Sequence, residues 1–198
     1  MKEEFDTLSK NHIWDLITLP PRQFLVGYKW IYKIKTCSDG SIKHYKARLI
    51  TKGYTQECGI NYEESFAPVA CILSIHALLA IMVASKWDLF QMDVKNAFLN
   101  GDLSEEVYMQ PSPGLSIESN KVYSLRRALY GLKQALRVWF AKFSSTIFRL
   151  GYITSPYDFA LFLRHIYKCI ILLLLYMDDM IITSDDLNSI QELKDFLS

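Results

Sequence analysis

Polar and apolar residues alternate with period two from Lys29 to Lys35, where Trp30, Tyr32 and Ile34 share one face. The same alternation returns from Ile42 to Thr51, and Ser38-Asp39-Gly40 between the two stretches is a turn signal. Together they predict a β-hairpin. Upstream, residues 2–10 predict a short helix, and Pro20-Pro21 breaks the chain. Residues 69–86 are apolar nearly all round (Ile72, Ile75, Leu78, Leu79, Met82, Val83), which predicts a buried helix ending at Lys86-Trp87. Strands are expected at Asp88 to Val94, Glu106 to Gln110 and Val122 to Leu125, with Pro111, Pro113 and Gly114 in the loop between the last two. Leu136, Phe140, Phe143, Ile147 and Leu150 fall at helical spacing, and Gly151 is placed to cap that helix. A strand at Phe159 to Leu163 follows. Then come two apolar runs, Cys169 to Leu175 and Met180 to Thr183, joined by Tyr176-Met177-Asp178-Asp179. They read as two buried strands with the Asp pair at the hairpin tip. Leu187 to Leu197 begins a further amphipathic helix. The order of elements is α+β, with helices expected on one face of an antiparallel sheet. The natural cut lies near residue 68, dividing a basic hairpin segment (1–68) from a sheet-and-helix segment (69–198), with one continuous domain as the alternative.

Composition narrows the class. The chain has 198 residues, 51% apolar and 22% charged, enough for one good core. Aromatic residues make up 14%, which argues against disorder. Cys37, Cys58, Cys71 and Cys169 form no CxxC pair, and the four histidines have no zinc spacing. The N-terminus carries no signal-peptide core, and the longest apolar run is far short of the roughly 20 residues of a membrane helix. A soluble intracellular protein with no membrane partner is expected. Net charge is only +1, so the distribution of charge matters more than its sum.

That distribution is uneven. Lys29 to Gln56 holds seven Lys/Arg and one acid, Asp39. His44, Lys46 and Arg48 share one strand face, which suits phosphate oxygens, although lysines on an edge strand also serve plain solubility. Asp178-Asp179 poses the opposite case. Two carboxylates about 4 Å apart repel by roughly 4 kcal/mol at an effective dielectric near 20. A divalent cation would remove that cost, yet Asp is also a favoured turn residue, and the pair reads equally as either. Asp93, at the end of its own apolar strand, is a third carboxylate if that strand lies beside the hairpin, and a strand-end or helix cap if it does not. Leu129-Tyr130-Gly131-Leu132-Lys133-Gln134 precedes a predicted helix and offers either an anion site or an ordinary glycine turn.

Several blocks, in order, carry a resemblance. They are Lys29-Trp30-Ile31-Tyr32-Lys33-Ile34-Lys35, Tyr45-Lys46-Ala47-Arg48-Leu49, Lys52-Gly53-Tyr54-Thr55-Gln56, Phe66-Ala67-Pro68-Val69, Met92 to Gly101, Glu106-Val107-Tyr108-Met109, Ala128 to Gln134, and Tyr176 to Asp179. Through nearly all its length the chain resembles the reverse transcriptase of copia-type long-terminal-repeat retrotransposons. The resemblance implies an RNA-directed DNA polymerase with the right-handed polymerase fold. The basic hairpin would be its fingers and the later sheet its palm, with the thumb absent. It implies two Mg2+ ions (Mn2+ as a substitute) on Asp93, Asp178 and Asp179. Arg48, with Lys46 or Lys35, would grip the triphosphate. Phe98 would be the bulky gate beneath the sugar, and Met177 would sit near the primer end. Tyr130, Gly131 and Lys133 would seat the incoming nucleotide and template. The implied partners are an RNA or DNA template with primer, deoxynucleoside triphosphates, and flanking integrase and ribonuclease H domains of a polyprotein. The implied location is cytoplasmic, in virus-like particles, or nuclear.

The sequence departs from the family pattern at several positions. Leu136 stands where the family usually has Pro, Cys71 and His76 where it often carries Arg, and Phe159-Ala160 where a Pro-Ser-like pair is usual. The stop at Ser198 inside a predicted helix makes a polyprotein fragment the expectation, with weak or no polymerisation on its own. The rival readings are a catalytically inactive remnant that at most binds nucleic acid, a nucleotide cyclase, and a plain α+β domain. The cyclase's glycine-rich hairpin signature is absent.

Overall fold

A computed structural model describes residues 2–111, 120–166 and 169–197, and the described residues form three sheets and four α-helices. The helices are α1 (Lys2–Lys10), α2 (Ile72–Ser85), α3 (Ala135–Arg149) and α4 (Leu187–Leu197). The strands are β1 (Trp14–Thr18), β2 (Leu25–Val26), β3 (Tyr28–Thr36), β4 (Ile42–Thr51), β5 (Asp88–Asp93), β6 (Tyr108–Met109), β7 (Lys121–Leu125), β8 (Ile153–Thr154), β9 (Leu161–Ile166), β10 (Cys169–Tyr176) and β11 (Asp179–Ser184). The chain divides into two compact units, residues 1–65 with 98–139, and residues 66–97 with 140–198. The predicted loop around Pro113 and Gly114 lies outside the described residues. No described helix is long and apolar enough to cross a membrane.

The first unit contains two sheets. One has the order β1-β7-β6-β2, antiparallel except for β2 beside β6. The other is the predicted hairpin, β3 against β4, in register from Tyr28↔Thr51 to Lys35↔His44. Strand β1 was not anticipated. It is five residues of mixed pattern, and its partner β7 lies over a hundred residues away in sequence. Aromatic packing holds it in place: Trp14 sits 4.8 Å from Tyr123 and 5.4 Å from Phe5 of α1, centroid to centroid. Arg126 pairs with Asp15 across the same strands.

The second unit is built on one antiparallel sheet, β5-β11-β10-β9-β8. Strand β10 is central, and Ile171 to Leu175 are all buried, so both of its faces are covered. This explains its continuous apolar run in place of an alternating one. Leu173, Phe162 and Ile182 share one face by register, and Phe143 and Phe148 of α3 pack on Phe162 at 5.7 and 6.0 Å. Lys194 of α4 lies 3.6 Å over the ring of Phe90 on that face. The opposite face, with Leu172, Leu174 and Ile181, packs against Ile75 and Leu78 of α2. Helices therefore lie on both faces of this sheet, not on one as the element order suggested.

Helix α3 ends as anticipated. Gly151 takes φ 83°, and the N–H of Tyr152 reaches the carbonyl of Ile147, a left-handed helix terminus. Helix α2 lacks a side-chain cap of its own, and the buried Asp158 substitutes, accepting from the Cys71 N–H at 2.8 Å and from the Ala160 N–H at 2.9 Å.

The burial predicted for α2 needs correction. Only Leu78 (2% exposed) is buried, whereas Leu73 (71%) and Val83 (70%) face outward. An apolar composition cannot tell which side of a helix is covered when every side is apolar. The contrast gives a test by denaturant unfolding. Leu173→Ala, at a fully buried site in β10, is expected to cost about 3 kcal/mol, and Leu73→Ala is expected to stay within about 0.5 kcal/mol of wild type. Equal losses at the two positions would contradict this burial pattern.

Candidate active site

The acidic centre belongs to the second unit and is set by strand register. Strand β5 runs antiparallel to β11, so Asp93 is paired directly with Asp179, and Met92 with Met180. Across the hairpin, Tyr176 pairs with Asp179, leaving Met177-Asp178 as a two-residue turn. Met177 takes φ 58°, as the first central position of a type II′ hairpin turn requires. The Val94 N–H donates to the Asp178 carbonyl at 2.9 Å and pins the turn to the end of β5. Both β5 and β11 alternate, so Asp93, Gln91, Asp179 and Ile181 share one face, and Gln91 Nε2 donates to Asp179 Oδ1 at 3.3 Å. Asp93 is exposed, and Asp178 and Asp179 are half-buried.

Like charges placed directly opposite on neighbouring strands destabilise the pair. Among the described residues no Lys, Arg or His forms an ion pair with any of the three carboxylates. They are hard oxygen donors, the kind Mg2+ and Mn2+ prefer. In kind and in placement on adjoining strand ends they fit a divalent cation. Among the described residues no group of three such side chains already converges into a ligand set, so an ion would have to draw them together.

The basic centre belongs to the first unit. On the β3–β4 hairpin, Ile31 pairs with Arg48, Lys33 with Lys46 and Lys35 with His44, all on one face. Ile31, Lys33, Lys35, Lys46, Arg48 and Ile50 line a groove of about 290 Å³. Two lysines in direct register repel each other as the Asp pair does. Glu4 of α1 feels both Arg48 and Lys46; burial pushes its carboxyl above the ordinary glutamate range, and the two cations pull against that.

Tyr130 links this face to Phe98. The Arg48 guanidinium lies 4.8 Å over the Tyr130 ring, and the Phe98 ring meets Tyr130 edge-on at 5.3 Å. Gly131 takes φ 95°. Lys133 points elsewhere: its ammonium donates to the Gln56 carbonyl at 3.0 Å and to the Tyr62 hydroxyl at 3.3 Å. The structure thus gathers Lys35, Lys46, Arg48, Phe98 and Tyr130 in one unit, and Asp93, Met177, Asp178 and Asp179 in the other. Lys33, Ile31 and Ile50 join the groove without having been singled out. Alternation with Lys35 is the signal that points to Lys33. Nothing in the local sequence marks Gln91 as the partner of Asp179.

Known proteins resemble this chain over its whole length. Residues 11–198 match the family model of reverse transcriptase (RNA-dependent DNA polymerase). The chain is 41% identical to the Retrovirus-related Pol polyproteins from transposons RE1 and RE2 of Arabidopsis thaliana, and 39% identical to that from transposon TNT 1-94 of Nicotiana tabacum. Each match covers 100% of this chain and 14% to 15% of the relative's length. The chain belongs to the reverse transcriptase family, in the form found in the Pol polyproteins of copia-type retrotransposons.

The acidic centre can be probed without any ligand. With divalent ions removed and at low ionic strength, Asp93→Asn is expected to stabilise the protein by about 0.5 kcal/mol in urea unfolding, because it removes one of two opposed charges. The gain should shrink at high salt. A less stable variant would show that the two carboxylates do not oppose each other.

Proposed function

We propose that this chain is the fingers and palm part of an RNA-directed DNA polymerase, with Asp93, Asp178 and Asp179 as the metal-binding carboxylates. The observation that carries the proposal is the register of β5 on β11, which sets Asp93 opposite Asp179 beside the turn that holds Asp178. In this reading the first unit's hairpin is the fingers and the second unit's sheet is the palm.

The residues divide the work by their chemistry. Asp93, Asp178 and Asp179 would hold two Mg2+ ions, or Mn2+ in their place. When bound, such ions lower the pKa of the attacking primer hydroxyl and neutralise charge on the pyrophosphate that leaves. Arg48 presents a planar fork to phosphate oxygens, and its stacking on Tyr130 holds that fork in place. Lys46 and Lys35 add charge from the same face, and an anion there would relieve the Lys33–Lys46 repulsion. Phe98, braced edge-on by Tyr130, offers a flat wall that would exclude a 2′-hydroxyl. Tyr130 and Gly131 would lie against the incoming nucleotide, and Met177, at the turn, against the primer end. Template, primer and deoxynucleoside triphosphates are the proposed partners. Integrase and ribonuclease H regions of a polyprotein are proposed to accompany the chain.

A thermal-shift titration tests the metal reading. A site at a hundred times its dissociation constant adds about 2.7 kcal/mol, and each kcal/mol moves Tm by about 2–4 °C for a domain of this size. Saturating Mn2+ or Mg2+ should therefore raise Tm by roughly 5–10 °C. Asp93→Asn and Asp178→Asn should abolish the shift. An undiminished shift in both variants would remove these residues from the metal site.

The second reading is an inactive remnant that binds nucleic acid. It is favoured by Cys71 and His76, which stand where family members often carry Arg. Primer extension separates the two readings: Mg2+-dependent extension lost in Asp178→Asn supports the polymerase, and salt-sensitive nucleic-acid binding without extension supports the remnant.

A further inference from the structure

Two segments far apart in sequence are joined in the first unit by a chain of buried amides. The Lys133 N–H donates to Gln56 Oε1 at 2.9 Å, Gln56 Nε2 donates to Gln134 Oε1 at 3.1 Å, and Gln134 Nε2 donates to the Asn61 carbonyl at 3.2 Å. Gln56, Gln134 and Asn61 are 3%, 0% and 5% exposed. Each glutamine both donates and accepts, so neither can be made apolar without leaving a buried polar partner unpaired. The Lys133 ammonium completes the link through the Gln56 carbonyl and Tyr62, whose ring lies 5.0 Å away.

Beneath these amides the two backbones touch. Thr51 donates to the Tyr130 carbonyl through both its N–H (2.8 Å) and its hydroxyl (3.0 Å). A Cβ on Gly53 would fall 1.9 Å from the Gly131 carbonyl oxygen, and one on Gly131 would fall 2.3 Å from that of Thr51. Only two glycines allow this approach. The residue delivered by the clamped turn is Tyr130, the one that stacks on Arg48 and braces Phe98.

We infer that Gln56 and Gln134 are positioning residues for the nucleotide site, and that Lys133 acts with them rather than touching the triphosphate. The amide chain fixes the Tyr130–Gly131 turn against β4 and so sets the angle at which Arg48 and Phe98 are presented. The identity of the ligand rests on the polymerase reading, whereas the clamp rests on the hydrogen bonds alone.

The test uses the whole chain with Gln134→Leu and Lys133→Met, read by site-resolved amide exchange and by titration with dATP and Mg2+. In Gln134→Leu the Thr51 and Lys133 amides should exchange at least ten-fold faster while the β10–β11 ladder is unchanged, and the Kd for dATP should rise about ten-fold. Lys133→Met should shift both readouts in the same direction by about three-fold, with the salt dependence of dATP binding unaltered. A weaker salt dependence in Lys133→Met would mean that Lys133 contacts the triphosphate, and would overturn its assignment. Unchanged exchange at Thr51, or an unchanged Kd despite faster exchange, would overturn the positioning role. Should Gln134→Leu fail to fold, the exposed Lys133 carries the same two readouts. If the wild-type chain binds no dATP, the polymerase reading falls and with it the ligand of this site, and the exchange result still decides whether the amides hold the turn.

Discussion

The register of β5 against β11 is the constraint on which the acidic centre depends. Side chains alternate along a strand, so a slip of one residue would send Asp93 and Asp179 to opposite faces of the sheet. The carboxylates cannot set this register themselves, since their mutual repulsion works against it. Met180 and Ile182, both 0% exposed, hold β11 in the core, and each is paired with a residue of β5 through the ladder. The Val94 N–H then fastens the turn by its backbone, leaving the side chain of Asp178 unconstrained by that bond. Apolar burial supplies the free energy, and the polar end of the strand is carried where the core dictates.

Where local pattern and tertiary environment agree, the sequence was readable. The β3–β4 hairpin alternates cleanly around Ser38-Asp39-Gly40, because one of its faces is charged and the other apolar. Helix α3 shows its period and its Gly151 terminus. Local reading failed where a partner is remote. Strand β1 is stabilised by Tyr123 and β7, and two-residue strands such as β2 and β6 exist only through their neighbours. The apolar run predicts helix α2 to within three residues at its start and one at its end but not which sides are exposed, since its fourteen residues offer no polar face to orient it.

The candidate site shows the same division. Asp93, Asp178 and Asp179 could be named from residue type and position, but their alignment is a property of the ladder. Arg48 could be named from the basic face, but its platform, Tyr130, arrives from a segment about eighty residues on. Gln56 and Gln134 close the blocks Lys52-Gly53-Tyr54-Thr55-Gln56 and Ala128 to Gln134, and nothing within either block reveals that the two are bonded. A glutamine reads as a surface residue by default; only burial with complete hydrogen bonding marks it as structural.

Both centres share one electrostatic signature. Asp93 faces Asp179 on β5–β11, and Lys33 faces Lys46 on β3–β4, each a like-charge pair in direct cross-strand register. Neither arrangement helps the fold, and substitution of one partner in each would be the simplest way to make the strands pair better. In the polymerase reading a counter-charge would relieve each pair, while burial elsewhere in the same unit meets the cost of holding the like charges together, and Glu4 already answers part of it at Lys46 and Arg48. An acidic pair asks for a cation, and a basic pair asks for an anion.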